Sequence, residues 1–187
     1  MTEDSLPAGL SAQNVAMSRA MEGDVVEIVS LINDEYERSN AVLSVSHDEV
    51  RSWVGFGLSF VAKHNNRIVG HSAMHVWPES GWLEIRGVVV DPNYRNHGIY
   101  SKMTRLHIEE TFRAYPKGKI VVVKNESSKG ARLLKSLGFV LVARGISIEV
   151  IEQGVPKEFF DIGPKDRQLR IWTLIKEDYM KSNSCLL

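Results

Sequence analysis

The chain reads Val88-Val89-Val90-Asp91-Pro92-Asn93-Tyr94-Arg95-Asn96-His97-Gly98-Ile99-Tyr100 near its middle. The three valines form a β-branched apolar run that predicts a buried strand, and Asp91-Pro92-Asn93 supplies turn residues. Apolar residues then recur at helical spacing from Ser101 to Tyr115. Because the first turn of a helix exposes unpaired N–H groups and Gly98 permits a close backbone approach, this segment predicts an anion-binding loop at a helix start.

The spacing of this loop excludes two familiar phosphate-binding motifs. Gly98 follows no glycines that would complete G-x-G-x-x-G, and the chain contains no Gly-Lys-Ser/Thr triplet. The residues from Val90 to Gly98 instead read V-x-P-x-x-R-x-x-G. In this pattern the chain resembles the GNAT acetyltransferase superfamily, whose signature V-x-P-x-x-[RQ]-x-x-G-x-[GA] joins the fourth strand to the third helix. Tyr100 stands where the family usually has Gly or Ala, so a bulky side chain lies beside the expected pyrophosphate.

The resemblance covers the chain from about Val15 to Lys176, because the order of the predicted elements also matches. It identifies Lys119–Val123 with the fifth strand, Ser127–Leu137 with the fourth helix, and Leu137-Gly138-Phe139 with the start of the sixth strand. The implied fold class is α/β, with a mixed, mostly antiparallel central sheet of about six to seven strands and helices on both faces, the acyl-CoA N-acyltransferase fold.

Periodicity and turn residues predict the remaining elements. Asp24 caps a first helix, Ser46 or Asp48 caps a second, and Asn65-Asn66 marks a hairpin turn. Strands are predicted at Val15–Ala20, Phe60–Lys63, Arg67–Val76, Trp82–Val90, Lys119–Val123, Phe139–Glu149 and Arg167–Lys176. Residues 152–166 form a long link with apolar content. It fits a binding loop or an oligomer contact, which keeps a homodimer open, and equally a loop folded onto its own core.

The composition is that of one compact domain. The chain has 187 residues, 43% of them hydrophobic, which suffices for one sizeable core. We expect a single domain at residues 15–180 between flexible tails at 1–14 and 181–187. Its 23 basic and 23 acidic residues balance, so no global field favours nucleic acid or an anionic membrane. No apolar run approaches the roughly 18 residues of a membrane span. The single Cys185 cannot form an internal disulfide, which favours a cytoplasmic protein.

The resemblance implies acetyl-CoA as cosubstrate and a primary amine as acceptor, with direct attack of the amine on the thioester in a ternary complex. It assigns the thioester oxygen and the pantetheine amide to backbone N–H groups of the strand Val88-Val89-Val90, those of Val88 or Val90. It assigns the pyrophosphate to the amides of Asn96, His97, Gly98, Ile99 and Tyr100, with Arg95 adding charge. Asn125 and Lys129 occupy positions at which family members often contact the cofactor, although Asn125 fits a turn residue better.

The residues that would move protons differ from the family pattern. Leu134 occupies the helix position at which many members carry a thiolate-protonating tyrosine, and Val121 to Val123 cannot supply a base on the fifth strand. Glu84 is the best remaining base, acting directly or through water, and His75 is the second candidate. An ion pair with Arg86 explains Glu84 equally well.

The acid for the leaving thiolate is then water or a hydroxyl group of Tyr100, Tyr94 or Ser128. Tyr100 fits a wall of the pyrophosphate site better than an acid, and His97 fits a neighbour of the phosphate better than a proton carrier. His71 and His75 alternate on one strand face, but no Cys, Asp or Glu nearby completes a ligand set, so no metal is expected.

The lack of a proton-donating tyrosine at Leu134 is also compatible with a second function, a non-catalytic acyl-CoA-binding module with a regulatory or sensing role. A domain that only binds partners is disfavoured by Arg95 and Gly98. The sequence leaves the acceptor open among polyamines, amino acids, antibiotics and peptides, and it leaves open whether acyl groups other than acetyl are used.

Overall fold

The computed structural model describes residues 15–39, 42–77, 80–125, 128–144 and 169–183. The strands and helices are β1 (Ala16–Arg19), α1 (Val25–Ser39), α2 (His47–Gly55), β2 (Ser59–His64), β3 (Arg67–Trp77), β4 (Trp82–Val90), α3 (Ile99–Ala114), β5 (Lys119–Asn125), α4 (Ser128–Ser136), β6 (Val140–Arg144), β7 (Leu169–Leu174) and α5 (Lys176–Asn183). Short 3-10 helices, Glu22–Asp24 and Pro92–Tyr94, come before α1 and α3.

Seven strands form one sheet in the order β1-β2-β3-β4-β5-β7-β6. The pairs β1/β2, β2/β3, β5/β7 and β6/β7 are antiparallel. β4 and β5 are parallel and pair from Trp82↔Lys119 to Glu84↔Val121. The predicted fold class, a mixed and mostly antiparallel sheet, is confirmed.

The chain divides into two compact units. The first unit comprises Met1–Ala73 with Gly87–His107, and the second comprises Met74–Arg86 with Ile108–Leu187. The boundaries fall within β3, β4 and α3. The single domain expected at residues 15–180 stays a prediction.

In the first unit, adjacent residues of β4 pack against different helices. Val89 belongs to an apolar cluster that includes Trp53 of α2. Val90 belongs to another cluster, with Ile99 and Met103 of α3. Because successive side chains of a strand point to opposite faces, the end of β4 is covered by apolar residues on both sides. Its backbone therefore supplies the polar groups that could meet a ligand.

Two local signals act as predicted in the first unit. Ser46, rather than Asp48, caps α2, because its hydroxyl accepts from the Glu49 N–H at 3.2 Å while the Glu49 carboxylate accepts from the Ser46 N–H at 2.9 Å. Asn65 and Asn66 connect β2 to β3 with φ values of 50° and 63°, as the predicted hairpin turn requires.

In the second unit, helix α5 was not predicted from the sequence. The strand expected to continue to Lys176 ends at Leu174, and residues 181–183, expected in the tail, are helical. Tyr179 explains the helix, because its ring is buried 6.1 Å from that of Phe112 and its hydroxyl donates to Glu109 Oε1 at 3.0 Å. A helix of only eight residues is stabilised by such packing more than by its own propensity.

Several boundaries differ slightly from the predictions. α3 begins at Ile99 rather than Ser101, and β5 extends to Asn125 rather than Val123. The predicted tail at 1–14, the end of the predicted strand at 145–149 and the link at 152–166 lie outside the described residues. Across the described part of the chain, no helix combines the length and the apolar character needed to span a membrane.

Candidate active site

Asp91 anchors the start of the loop that follows β4. Its buried carboxylate accepts from the Asn93 N–H and from Arg67 Nη2, both at 2.9 Å. Its own N–H donates to the Val69 carbonyl at 2.9 Å. Because Pro92 fixes the next φ value, the loop leaves the sheet at a defined place.

The loop reaches α3 through two left-handed residues. Asn96 has φ 67° and Gly98 has φ 77°, and His97 between them has no positive φ. Backbone that alternates left-handed with right-handed residues turns successive N–H groups toward one concavity, which binds anions, and the alternating sign of φ from Asn96 to Gly98 is what such a concavity requires. The Gly98 carbonyl accepts from the Lys102 N–H at 3.0 Å and so begins α3, whose first N–H groups and dipole face the same end. The residues predicted to hold a pyrophosphate thus have a backbone suited to an anion.

Arg95 is tied to the protein on two sides. Its Nε donates to the Val90 carbonyl at 2.9 Å and its Nη2 donates to Glu35 Oε2 at 2.6 Å. Glu35 is buried in α1 and also accepts from Arg38 and Ser39, each at 2.7 Å. The guanidinium, expected to add charge at the phosphate, is paired with Glu35, which it shares with Arg38. Its geometry favours a role in holding the loop against α1.

Glu35 was missed by the sequence analysis, although a signal was present. Ile28, Ile32 and Glu35 lie on one face of α1 at helical spacing, and all three are buried. A carboxylate on an apolar helix face requires a hydrogen-bonded partner from elsewhere in the fold. The spacing alone could not say that the partner is Arg95.

In the second unit, Glu84 and Arg86 form a buried ion pair on β4. Arg86 Nε donates to Glu84 Oε2 in a short contact, and the Glu84 side chain is about nine-tenths buried, with 10% exposed. Burial raises the pKa of Glu84, and Arg86 opposes that shift. The two interpretations from sequence are therefore both compatible with the geometry: the pair exists, and the carboxylate has a raised pKa suited to accepting a proton.

His75 lies close to the same arginine in the second unit. Its ring meets Trp77 edge-on at 4.6 Å, and Arg86 lies 6.0 Å from the centre of the Trp77 ring. Burial lowers the pKa of His75, and the charge of Arg86 lowers it further. The imidazole is therefore neutral at neutral pH and a weaker base than an exposed histidine.

His71, one of the two histidines considered as a metal pair, lies in a hydrogen-bonded environment. It is fully buried in the first unit, and both ring nitrogens are hydrogen-bonded, Nδ1 to the Gly87 carbonyl and Nε2 to the Ser59 hydroxyl, each at 2.9 Å. Within the ranges that the structure describes, no three His, Cys, Asp or Glu side chains come together as a metal site.

The remaining candidates have mostly structural surroundings. Leu134 is fully buried, Tyr100 packs against the apolar cluster of α3, and the Tyr94 hydroxyl lies 3.1 Å from His64 Nδ1. Val88 and Ile99 also pack in that cluster, so only their backbone groups are available to a ligand. The side chains of Asn125, Lys129 and Ser128 lie outside the described residues.

This sheet, whose fourth strand leads through the loop of Asn96 to Gly98 into the third helix, is the acyl-CoA N-acyltransferase fold. The sequence model of the Acetyltransferase (GNAT) family matches residues 25–139, more than half of the chain, and the chain belongs to this family. No curated protein matches.

Solved structures share the fold. A Mycobacterium tuberculosis protein in complex with CoA is 26% identical, with a TM-score of 0.65 over 86% of this chain and 98% of that one. The yncA protein from Salmonella typhimurium, with its cofactor acetyl-CoA, is 21% identical, with a TM-score of 0.67 over 87% of this chain and 94% of that one. N-acetylglutamate synthase from Neisseria gonorrhoeae, complexed with CoA and N-acetyl-glutamate, is 19% identical with a TM-score of 0.66. The match covers 85% of this chain but only 34% of the synthase.

Proposed function

We propose that the chain transfers an acetyl group from acetyl-CoA to a primary amine by direct attack within a ternary complex. The observation that carries this proposal is the backbone of Asn96 to Gly98, whose φ values alternate in sign just before the start of α3. Membership of the family supports acetyl transfer, and the Mycobacterium tuberculosis neighbour that contains CoA supports the cofactor.

The cofactor is bound mainly by backbone groups in this proposal. The amides of residues 96–100 hold the pyrophosphate, since a helix start stabilises negative charge. The N–H of Val88 or Val90 holds the thioester oxygen and stabilises the negative charge that develops there. Arg95 contributes by fixing the loop against Glu35.

The chemistry needs one proton acceptor and one proton donor. The amine nitrogen attacks the thioester carbon, the carbon–sulfur bond breaks, and the ammonium proton passes to Glu84 directly or through water. The leaving thiolate takes a proton from water, because Leu134 at the usual tyrosine position has none to give.

Leu134 also supports a second candidate, a module that binds acyl-CoA without turnover. Its side chain is fully buried, so the position is part of the core and no proton donor stands there. The two functions differ in whether bound acetyl-CoA is consumed.

Calorimetry with CoA, followed by a thiol-release assay with acetyl-CoA and a panel of amines, tests both candidates. Binding together with amine-dependent release of CoA supports the acetyltransferase, and binding without release from any amine supports the module. A wild-type protein that binds neither CoA nor acetyl-CoA contradicts both.

A further inference from the structure

His71 lies inside the first unit at the centre of a hydrogen-bonded chain across β2, β3 and β4. Its ring is fully buried and stacks on Trp53, with ring centres 6.0 Å apart and planes inclined by 17°. Nε2 is 2.9 Å from the hydroxyl of Ser59, and Nδ1 is 2.9 Å from the carbonyl of Gly87. Neither the anion-binding loop nor the Glu84 pair uses this histidine.

The donor and acceptor roles along these hydrogen bonds follow from the Gly87 carbonyl. A carbonyl only accepts, so Nδ1 carries the hydrogen and Nε2 accepts from the Ser59 hydroxyl. Burial lowers the pKa of His71 to about 4, so the ring is neutral at neutral pH and keeps this single tautomer. The Gly87 carbonyl therefore fixes the tautomer, the Ser59 hydroxyl donates to the other ring nitrogen, and His71 in turn holds the Gly87 carbonyl.

Gly87 is the point in β4 at which such a restraint is needed. It has φ 54°, inside a strand whose other residues have no positive φ. A Cβ at this position would lie 3.0 Å from Trp53 and 3.2 Å from His71 Nδ1, so only glycine fits. Because glycine accepts both signs of φ, sterics alone do not fix the peptide that follows it. A buried hydrogen bond to its carbonyl does.

The same peptide carries the Val88 N–H. No cis peptide bond occurs among the described residues, and in a trans peptide the C=O and N–H groups point in opposite directions. The hydrogen bond that turns the Gly87 carbonyl toward His71 thus turns the Val88 N–H away from it. We propose that His71 is a positioning residue that orients the Val88 N–H for the acyl-pantetheine arm of the cofactor. This inference rests on the proposed function, in which that N–H holds the thioester or the pantetheine amide.

Replacing His71 with either of the two amide residues distinguishes the roles of its two ring nitrogens. In His71→Asn the side-chain amide occupies the place of Nδ1 and can donate to Gly87, whereas in His71→Gln it occupies the place of Nε2 and can reach only Ser59. Both variants lose the ring, so loss of packing on Trp53 is common to them. Hydrogen exchange of the β4 amides and calorimetry with CoA and with ADP are measured for each full-length variant. ADP carries the pyrophosphate but lacks the pantetheine arm.

His71→Gln should raise the exchange rate at Val88 and lower CoA affinity about tenfold, the value of one hydrogen bond, while ADP affinity stays within about twofold. His71→Asn should restore CoA affinity to within about threefold of wild type. Ser59→Ala, which keeps the ring, should give a smaller loss confined to CoA and replaces His71→Gln if that variant does not fold.

Equal CoA affinity in wild type and His71→Gln overturns the inference about His71 but leaves the proposed function standing. An equal loss for CoA and ADP, or a failure of His71→Asn to recover while folded, also overturns it, because the role would then be general packing. If wild type binds ADP and CoA equally well, or binds neither, the proposed cofactor site itself is wrong.

Discussion

Arg95, in the loop after β4, donates to Glu35 of α1 at 2.6 Å, and this ion pair joins that loop to the first helix. The Nε of Arg95 donates to the Val90 carbonyl at 2.9 Å, so the guanidinium also bridges back to the end of β4. Loss of the pair leaves a buried carboxylate with fewer partners, and such losses are costly.

Arg95→Ala should therefore lower the free energy of unfolding by about 1–3 kcal/mol and weaken CoA binding. Glu35→Ala should weaken CoA binding to a similar degree, although it touches no phosphate. The double variant should lose little more than either single variant, because the two residues act as one unit. Calorimetry over the complete cycle measures this coupling. Additive losses, with a lower salt dependence only in Arg95→Ala, would show instead that Arg95 contacts the phosphate.

Gly98 tests the backbone conformation of the loop. A Cβ at Gly98 meets nothing within 4 Å, so a side chain has room, but the φ of 77° disfavours most residues. Gly98→Val should reduce CoA affinity by at least about tenfold, since a β-branched residue resists this conformation. Gly98→Asn is the control of similar size, because Asn tolerates the left-handed region. If Asn lowers the affinity as much as Val does, bulk rather than backbone geometry is responsible.

The sequence predicted the strands, turns and helices whose signals lie in neighbouring residues. The run of valines, the Asp-Pro-Asn turn and Gly98 indicated a strand, a loop and a helix, and Asn65-Asn66 indicated a hairpin. These signals are local because each residue type favours a conformation in its own backbone. Helix α5 was not predicted because Tyr179, which stabilises it, binds Glu109, a residue that lies far away in the sequence.

The missed site residues are also those whose partners are distant. Glu35 meets Arg95, and His71 meets Ser59 and Gly87, through contacts that only the assembled sheet and helices create. Periodicity places each of these residues on a buried face, but it does not identify the atom that each one binds.

The buried histidines predict a loss of stability in acid. Burial lowers the pKa of His71 from 6.5 to about 4 and that of His107 from 6.5 to about 3. Between these values the unfolded chain binds protons that the folded chain does not, so stability is lost as the pH falls below 6.5 and this loss is complete near 3. Urea unfolding across this pH range should show the decline. In His71→Asn the slope of the free energy of unfolding against pH should be smaller by the equivalent of about one proton.

Glu84 gives a pH prediction for catalysis. If it accepts the ammonium proton, turnover should rise with pH through an apparent pKa above the ordinary glutamate value of about 4.3, because burial raises the pKa. Glu84→Gln should reduce turnover by roughly 100-fold near neutral pH and by less at high pH, where the amine is already free.

Arg86 supplies the matched control for Glu84. Arg86 opposes the effect of burial on the carboxylate, so Arg86→Gln should move the acid limb of the profile to higher pH, and Arg86→Lys should move it less. Initial rates of thiol release across pH measure both shifts. A profile that is unchanged in Glu84→Gln would direct attention to His75 as the base.

Substitutions at Leu134 test whether this residue is an ordinary core position or a catalytic position without its proton donor. Its side chain is fully buried, so Leu134→Ala should lower the free energy of unfolding by about 2–5 kcal/mol, and Leu134→Met by less than about 1.5 kcal/mol. Leu134→Tyr overpacks the site and buries a hydroxyl, so it should destabilise the fold without raising turnover. Denaturant unfolding and thiol release are measured on the same samples, with Leu134→Phe as the control that adds the ring but no hydroxyl. A rise in turnover in Leu134→Tyr and not in Leu134→Phe would mean that protonation of the thiolate limits the wild-type reaction.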